Sequence, residues 1–406
     1  MTPPQHIVVV GAGLGGLRTI ERLRSSGYAG DITLVGAEIH PPYDRPPLSK
    51  QVLDGSWQPD RTILRDRAGL TELRVTARLG CRAVGLHGTT VTLDSGEDVT
   101  GDAVVLATGT VARRLPGQPE DVATLRTIED AQSLLLGLSR ARSMIIVGAG
   151  FIGAEVACAA RRRGLDVTVI EALPAPCVRV LGDAGGGVAA RLFTEAGVAL
   201  RSGERIAGFK DGRTVELGDG TVLSADIVLV SVGAVPDLDW LPDTLPRAAD
   251  GLACDTRGRV AGTSDLWAVG DAAAWWDVNT GSHRRSEHWT STIDQATRVA
   301  CDILGTTPPA GTPEYVWSDQ FGLKIQVLGR TAGADEVVPL HGQGLGTGAV
   351  KGTVLGYFAD GVLTGVASFG APTRIMRYRA QIIAGADRDA VLAQAAEMEQ
   401  KGTQPT

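Results

Sequence analysis

At 406 residues the chain has room for two or three domains, and 53 glycines with a 43% hydrophobic fraction suit an α/β protein rich in tight turns. A net charge of −7 argues against nucleic acid as the main partner. The five cysteines (Cys81, Cys158, Cys177, Cys254, Cys301) are scattered and never spaced Cys-x-x-Cys, so no disulfide framework, zinc knuckle or other metal site is expected, and a reducing, cytoplasmic setting is.

In chain order, Ile7 to Val10 reads as a buried strand running into Gly11-Ala-Gly13-Leu-Gly-Gly16. A helix is expected to open at Leu17 and end near Gly27, and a second strand covers Ile32 to Val35. This is one nucleotide-binding unit. Gly11 makes the tight turn, Gly13 lets the backbone approach a pyrophosphate, and Gly16 lets helix and strand pack closely. The helix amino end turns unpaired N–H groups toward the phosphates. Next comes Pro41-Pro-Tyr-Asp-Arg-Pro-Pro-Leu-Ser-Lys50, whose prolines forbid a regular helix or a central strand, so a rigid loop is expected there. It carries Arg45 and Lys50 where they can meet a cofactor. Residues 74 to 107 alternate short strands and turns. They close on Ala103-Val-Val-Leu-Ala-Thr-Gly109, read as a parallel strand returning to the same sheet.

An internal repeat runs from Met144 to Glu171 (MIIVGAGFIGAEVACAARRRGLDVTVIE). Gly148, Gly150, Gly153 and Gly164 keep the spacing of Gly11, Gly13, Gly16 and Gly27, so two nucleotides are implied. Glu171 ends the second strand of the repeat, where a carboxylate can accept hydrogen bonds from a ribose diol. A 2′-phosphate there would meet like charge, and the next arginine is Arg179, so NADH is preferred to NADPH. In the first unit Gly36 stands at the matching position and the acid comes later, at Glu38. Residues 225–233 form another buried strand, Asp265 to Asp271 a strand ending in Gly270-Asp271, and Ser286 to Ala300 a helix with an apolar face. From about Tyr315, strand-like runs alternate with glycine turns in a third, smaller α+β domain, and Glu397 to Thr406 are expected to be disordered. No apolar run reaches about 18 residues, so no membrane partner is expected.

The sequence resembles the FAD-containing, NADH-dependent ferredoxin reductases of bacterial oxygenase systems over nearly its whole length. The resemblance is carried by Tyr43-Asp-Arg-Pro-Pro-Leu-Ser-Lys50, Leu125-Arg-Thr-Ile-Glu-Asp130, Gly148 to Glu155, Gly270-Asp271 and Val316-Trp-Ser-Asp319. It implies an α/β fold with two Rossmann-like, glutathione-reductase-like dinucleotide domains and a small α+β C-terminal domain. FAD would take residues 1–113 and 234–312, NADH residues 114–233, and the C-terminal domain residues 313–406. It further implies that Arg45 and Lys50 lie along the flavin, Ala83 meets the adenine through its backbone, Arg126 reaches the cofactor, Asp271 holds the ribityl chain and Trp289 lies beside the isoalloxazine. The remaining candidates for FAD are Gly11, Ala12, Gly13, Leu14, Gly16, Glu38, Ala107, Thr108, Gly109 and Gly270. Those for NADH are Gly148, Gly150, Phe151, Ile152, Gly153, Glu155, Glu171, Ala172, Arg179 and Gly233.

Three residues are candidates for the chemistry, Lys50, Glu155 and Trp289. Hydride from NADH leaves negative charge on the flavin, which a fixed cation such as Lys50 stabilises; the rival reading is a solvated loop lysine. Glu155 gains from the helix dipole by roughly 1 kcal/mol at most, and the family pattern adds pairing with Lys50 and positioning of the nicotinamide. Trp289 reads equally well as plain core. Disulfide reductases of this fold need a cysteine pair facing the flavin, and the loop here reads PYDRPPLSK, so the electrons must leave singly to a docked redox protein. The expected partner is a two-iron ferredoxin feeding an oxygenase, with the enzyme a monomer or homodimer. Its docking patch is sought among Arg113-Arg114, Arg284-Arg285 and the Arg374, Arg377, Arg379 set. A rubredoxin reductase and a redox-sensing, NADH-binding interaction protein are the alternatives.

Overall fold

The structure, a computed structural model, describes the backbone of residues 3–402 and the side chains of residues 3–400. It divides into two compact units. One holds residues up to Arg45 with Pro59–Val111 and Ala234–Thr312; the other holds Pro46–Gln58, Ala112–Gly233 and residues from Pro313 on.

The first unit is built on a five-stranded parallel sheet in the order Leu266–Ala268, Ala103–Leu106, His6–Val10, Asp31–Gly36, Val75–Leu79. A parallel sheet covered on both faces needs near-continuous apolar strands, and Ile7 to Val10 are at most 2% exposed. The period of two then splits the strand. Ile7 and Val9 pack against the helices Leu14–Ser25 and Trp289–Leu304, through Leu17, Ile20, Val299 and Ile303. Val8 and Val10 pack against Val91, Leu93 and Leu252 on the other face.

The first helix begins at Leu14, three residues earlier than its apolar pattern implies. Gly13 is its N-cap and no side chain caps it, so the start carries none of the Ser, Thr or Asp signals by which a helix is found. The helix at the other end of the unit also differs from its expected span, running from Trp289 to Leu304.

The second unit repeats the plan. Four parallel strands lie in the order Ala199–Ser202, Asp166–Glu171, Ser143–Val147, Ile227–Val230. Met144 and Ile146 face Val156, Ala157 and Ala160 of the Phe151–Arg162 helix. Ile145 and Val147 face Val215 and Leu217 of a three-stranded antiparallel sheet. Each parallel sheet is thus backed by a helix on one face and antiparallel strands on the other.

The same unit includes an antiparallel sheet in the order Tyr315–Gln320, Leu323–Gly329, Val362–Phe369, Thr353–Ala359, Glu336–His341. One face of it packs on the Val178–Glu195 helix through Ile325, Leu355 and Phe369. The other face takes Val391 and Ala395 of the last helix, Arg388–Gly402.

That helix corrects the expectation of disorder from Glu397, although residues 403–406 lie outside the described residues. Its polar tail is anchored by Glu399, which meets His341 Nδ1 at 3.0 Å and Arg374 Nη1 at 3.5 Å. The fully buried His341 ring also meets the Tyr378 hydroxyl through Nε2 at 2.6 Å. Burial holds the His341 pKa below its ordinary value, with Arg374 acting the same way and Glu399 opposing both. A ring neutral in the fold but protonated in the unfolded chain gives stability that is complete above about pH 6.5 and is lost as the pH falls below it. Protection of the amides in the Arg388–Gly402 helix, relative to their intrinsic exchange at each pH, is therefore expected to fall between about pH 7.5 and about pH 5.5, ahead of protection in the sheets. Equal protection at both pH values would remove His341 as the clamp.

Candidate functional site

The two glycine-rich turns are built alike. Gly11 has φ +117° and donates its N–H to Val35 O at 2.8 Å; Gly148 has φ +106° and donates to Ile170 O at 2.8 Å. A Cβ at Gly11 would run into the Ala107 carbonyl oxygen, and one at Gly148 into that of Ser231. At Gly16 and Gly153 it would run into the carbonyl oxygens of Gly11 and Gly148. By contrast, a Cβ at Gly13 or Gly150 would meet nothing within 4 Å. So the outer glycines are needed for close packing, while the middle ones face open space at a helix start that no side chain caps and no acidic residue occupies. Open space before uncapped N–H groups at the positive end of a helix is what a pyrophosphate requires, and both turns fit a dinucleotide.

The acids after the second strands part company. Glu171 accepts from Ala149 N–H at 2.6 Å and from Leu173 N–H at 2.8 Å, so the carboxylate fixes the turn it follows. Gly36 stands at the equivalent place in the first unit, where a Cβ would lie 2.6 Å from that of Ala12. A side chain has no room there. Glu38 supplies the charge instead, accepting from Arg45 Nη2 at 2.7 Å and from the Tyr43 hydroxyl at 2.6 Å. Burial alone would lower the Arg45 pKa, but Tyr43, Glu38 and Asp271 outweigh it and leave it raised. The first unit therefore gathers Glu38, Arg45 and Asp271.

Other first-unit candidates surround this group. Ala107 N–H bonds Val10 O at 2.7 Å, Thr108 Oγ1 donates to Asp237 O at 3.1 Å, and Gly109 O accepts from Asp237 N–H at 3.2 Å. Gly270, at φ +75°, donates to Gln295 Oε1 at 2.8 Å, and Asp271 accepts from Thr110 Oγ1 at 3.3 Å. Ala83 is buried at the start of the first antiparallel strand. Trp289 opens its helix half-buried and donates from Nε1 to Asp44 Oδ1 at 2.9 Å.

In the second unit Lys50 and Glu155 come together. Lys50 Nζ lies 2.8 Å from Glu155 Oε2, with the side chains 12% and 2% exposed. Lys50 follows the 3-10 turn Pro46–Ser49 and is not a solvated loop lysine. Glu155 also accepts from the Ser49 and Ser318 hydroxyls. Three buried or nearly buried polar groups converge on the Glu155 carboxylate, more than a helix dipole would need. Cys177 sits at φ +56° with its N–H on Ala149 O at 3.0 Å and its Sγ 3.4 Å from the same oxygen. Burial pushes its thiol pKa up to about 12, so it is no nucleophile.

The other second-unit candidates are more peripheral. Phe151 is half-buried and Ile152 exposed at the helix start, and Ala172 and Arg179 are exposed. Gly233 lies where an added Cβ would stand 3.7 Å from Arg179 Nη1. Arg126 precedes the capping box of the Ile128–Leu138 helix, its N–H on Asp130 Oδ2 at 2.7 Å.

Several of the arginines proposed for docking are engaged within the fold. Arg284 pairs with Asp277, Arg285 with Glu287 and Arg374 with Glu399, and Arg114 donates to the carbonyls of Gln118 and Pro119. Arg377 and Arg379 are exposed. Ser49, Ser318, Gln320 and Cys177 were not anticipated as site residues. In Tyr315–Gln320 the fully buried positions, Ser318 and Gln320, are polar, and only the alternation of the strand could have singled them out.

Comparison with known proteins adds the following. Residues 5–296 match the family described as pyridine nucleotide-disulphide oxidoreductase, and residues 315–401 the reductase C-terminal family. The ferredoxin reductase component of chlorobenzene dioxygenase from Cupriavidus sp. (strain PS12) is 38% identical over 381 residues, 90% of each chain. The rubredoxin-NAD(+) reductase of Pseudomonas putida is 34% identical, over 82% of this chain and 88% of its own. Among solved structures, the ferredoxin reductase for the CYP199A2 system from Rhodopseudomonas palustris is 30% identical. That match covers 97% of this chain and 100% of the other, with a TM-score of 0.85.

Proposed function

Because this chain belongs to the pyridine nucleotide-disulphide oxidoreductase family, we propose that it passes electrons from NADH through FAD to a two-iron ferredoxin serving a haem-thiolate or Rieske oxygenase. It is an oxidoreductase of the ferredoxin and rubredoxin reductase group of oxygenase systems, and its cofactors are FAD and NADH. No described helix is long and apolar enough to cross a membrane.

The observation that carries the reading is the segment from Pro41 to Lys50, where a disulfide reductase would need cysteines and this chain has a lysine bound to a buried glutamate. None of the five cysteines lies in that segment or in a Cys-x-x-Cys pair, and burial raises the thiol pKa of Cys177 and Cys254, which argues against a dithiol as the electron acceptor. The chlorobenzene dioxygenase relative is named a ferredoxin reductase component, which favours ferredoxin over rubredoxin.

Bound FAD supplies the exchange between a two-electron hydride and single electrons. The residues of this chain bind and orient. We assign FAD to residues 1–113 and 234–312, with Gly13 open to the pyrophosphate, Glu38 at the ribose, Asp271 at the ribityl chain and Trp289 by the ring. We assign NADH to residues 114–233, with Gly150 at the pyrophosphate and Glu171 at the ribose. Lys50 would supply the positive charge that stabilises the reduced cofactor, and Glu155 holds its ammonium in place.

Glu171→Ala is expected to lower kcat/KM for NADH about tenfold while changing that for NADPH less, the loss of roughly one charged hydrogen bond. Unchanged selectivity in steady-state kinetics would take Glu171 away from the ribose. The function itself is tested by reducing the yellow protein anaerobically with NADH and adding oxidised two-iron ferredoxin or, separately, rubredoxin. Rapid flavin reoxidation by ferredoxin is the expected result. Preference for rubredoxin would replace the partner, and a reduced flavin that persists against both would turn the reading toward a redox sensor.

A further inference from the structure

We propose that Ser318, on the first strand of the C-terminal sheet, is a positioning residue for hydride transfer that acts through the Lys50–Glu155 pair. The inference rests on the reading of Lys50 and Glu155 given above.

Ser318 is fully buried and its hydroxyl donates to Glu155 Oε1, the oxygen that Lys50 and Ser49 leave to it, since both of those meet Oε2. A carboxylate only accepts, and a serine hydroxyl has one proton, so the proton of this contact belongs to Ser318. Gln320, two residues along on the same buried face, donates from Nε2 to Ser318 Oγ at 3.1 Å. The amide thereby occupies the acceptor side of the hydroxyl and leaves its proton directed at Glu155. Gln320 Nε2 also lies 3.8 Å from Cys177 Sγ, whose own contact is the Ala149 carbonyl in the nucleotide turn. Gln320 Oε1 has no hydrogen-bond partner among the described residues.

The consequence is geometric. A glutamate held at one oxygen can turn about its terminal torsion, which is broad. With Ser318 on Oε1 and Lys50 and Ser49 on Oε2, that torsion is fixed, and so is the direction from which Lys50 Nζ is held. Through Ser318 the C-terminal domain thus contributes a residue to the reductive half-reaction.

The test is a double-mutant cycle in the full chain with FAD bound, using Ser318→Ala, Glu155→Gln and both together. Stopped-flow reduction by NADH gives the limiting rate and the NADH dissociation constant for each. Ser318→Ala is expected to lower the limiting rate about tenfold, the equivalent of one hydrogen bond to a charged group, and to leave the dissociation constant within about twofold. In the Glu155→Gln background the same substitution should change the rate little, because the group it acts through is gone. A wild-type rate for Ser318→Ala beside a slow Glu155→Gln would overturn the inference alone. Equal slowing by Ser318→Ala in both backgrounds would make Ser318 merely structural and overturn it too. A wild-type rate for Glu155→Gln would instead bring down the reading on which the inference rests.

Discussion

Lys50→Met is expected to retain FAD and to be reduced by NADH about a hundredfold more slowly, the usual loss when one preorganised charge is removed from a reaction site. The same substitution leaves the Glu155 carboxylate, 2% exposed, with two hydroxyls and no cation. Breaking a buried pair from one side costs about 3–5 kcal/mol, and the two hydroxyls put this case near the lower figure. Rate and stability can be separated, because adding Glu155→Gln removes the stranded charge and should restore most of the denaturation midpoint without restoring the rate. Stopped-flow reduction and urea titration are the two measurements. A wild-type reduction rate in Lys50→Met would make the lysine a structural cation only.

The second large effect concerns the paired glycines. In Gly16→Ala the new methyl meets the Gly11 carbonyl oxygen, and in Gly153→Ala that of Gly148. Neither neighbour is the movable end of a side chain, so each substitution must displace the turn, at a cost near or above the roughly 3 kcal/mol upper range for overpacking. Gly16→Ala is expected to purify colourless or to lose its flavin on dilution. Gly153→Ala is expected to stay yellow and to resist reduction by NADH. Flavin-to-protein absorbance ratios and an anaerobic NADH titration read the difference, and the opposite pattern would exchange the two cofactor assignments.

The matching glycine spacing made both units legible from residues alone, because the turn, the close approach and the open face each demand glycine at a fixed place. Gly36 was also readable as the departure from that match, and its cause is the Ala12 methyl group. The start of the first helix was not readable, since a helix whose N–H groups are left to a ligand has no capping residue to betray it. Only the end of the last helix, from Glu397, reads as disordered, because polar residues dominate it and because its anchor, His341, is distant in sequence. Ser318 lay in plain view within Val316-Trp-Ser-Asp319. Parity along a strand says which residues share a face, but not which face is buried, and a serine proclaims neither.

The strand order of the two parallel sheets also bears on how the chain is made. Residues 143–230 supply every strand of the second sheet, whereas the first needs Leu266–Ala268 beside Ala103–Leu106 and the helix from Trp289 to cover Leu17 and Ile20. At a synthesis rate of about 5–20 residues per second, the amino-terminal sheet waits roughly 8–33 s between emergence of its Ala103–Leu106 strand and arrival of the neighbour that closes its edge. During that interval four apolar residues are unpaired along one side, and every strand of the second sheet is made before it ends. Of the two parallel sheets the one begun first is closed last, and slow translation or early truncation upstream of Leu266 should send this protein toward aggregation before any defect in cofactor binding is felt.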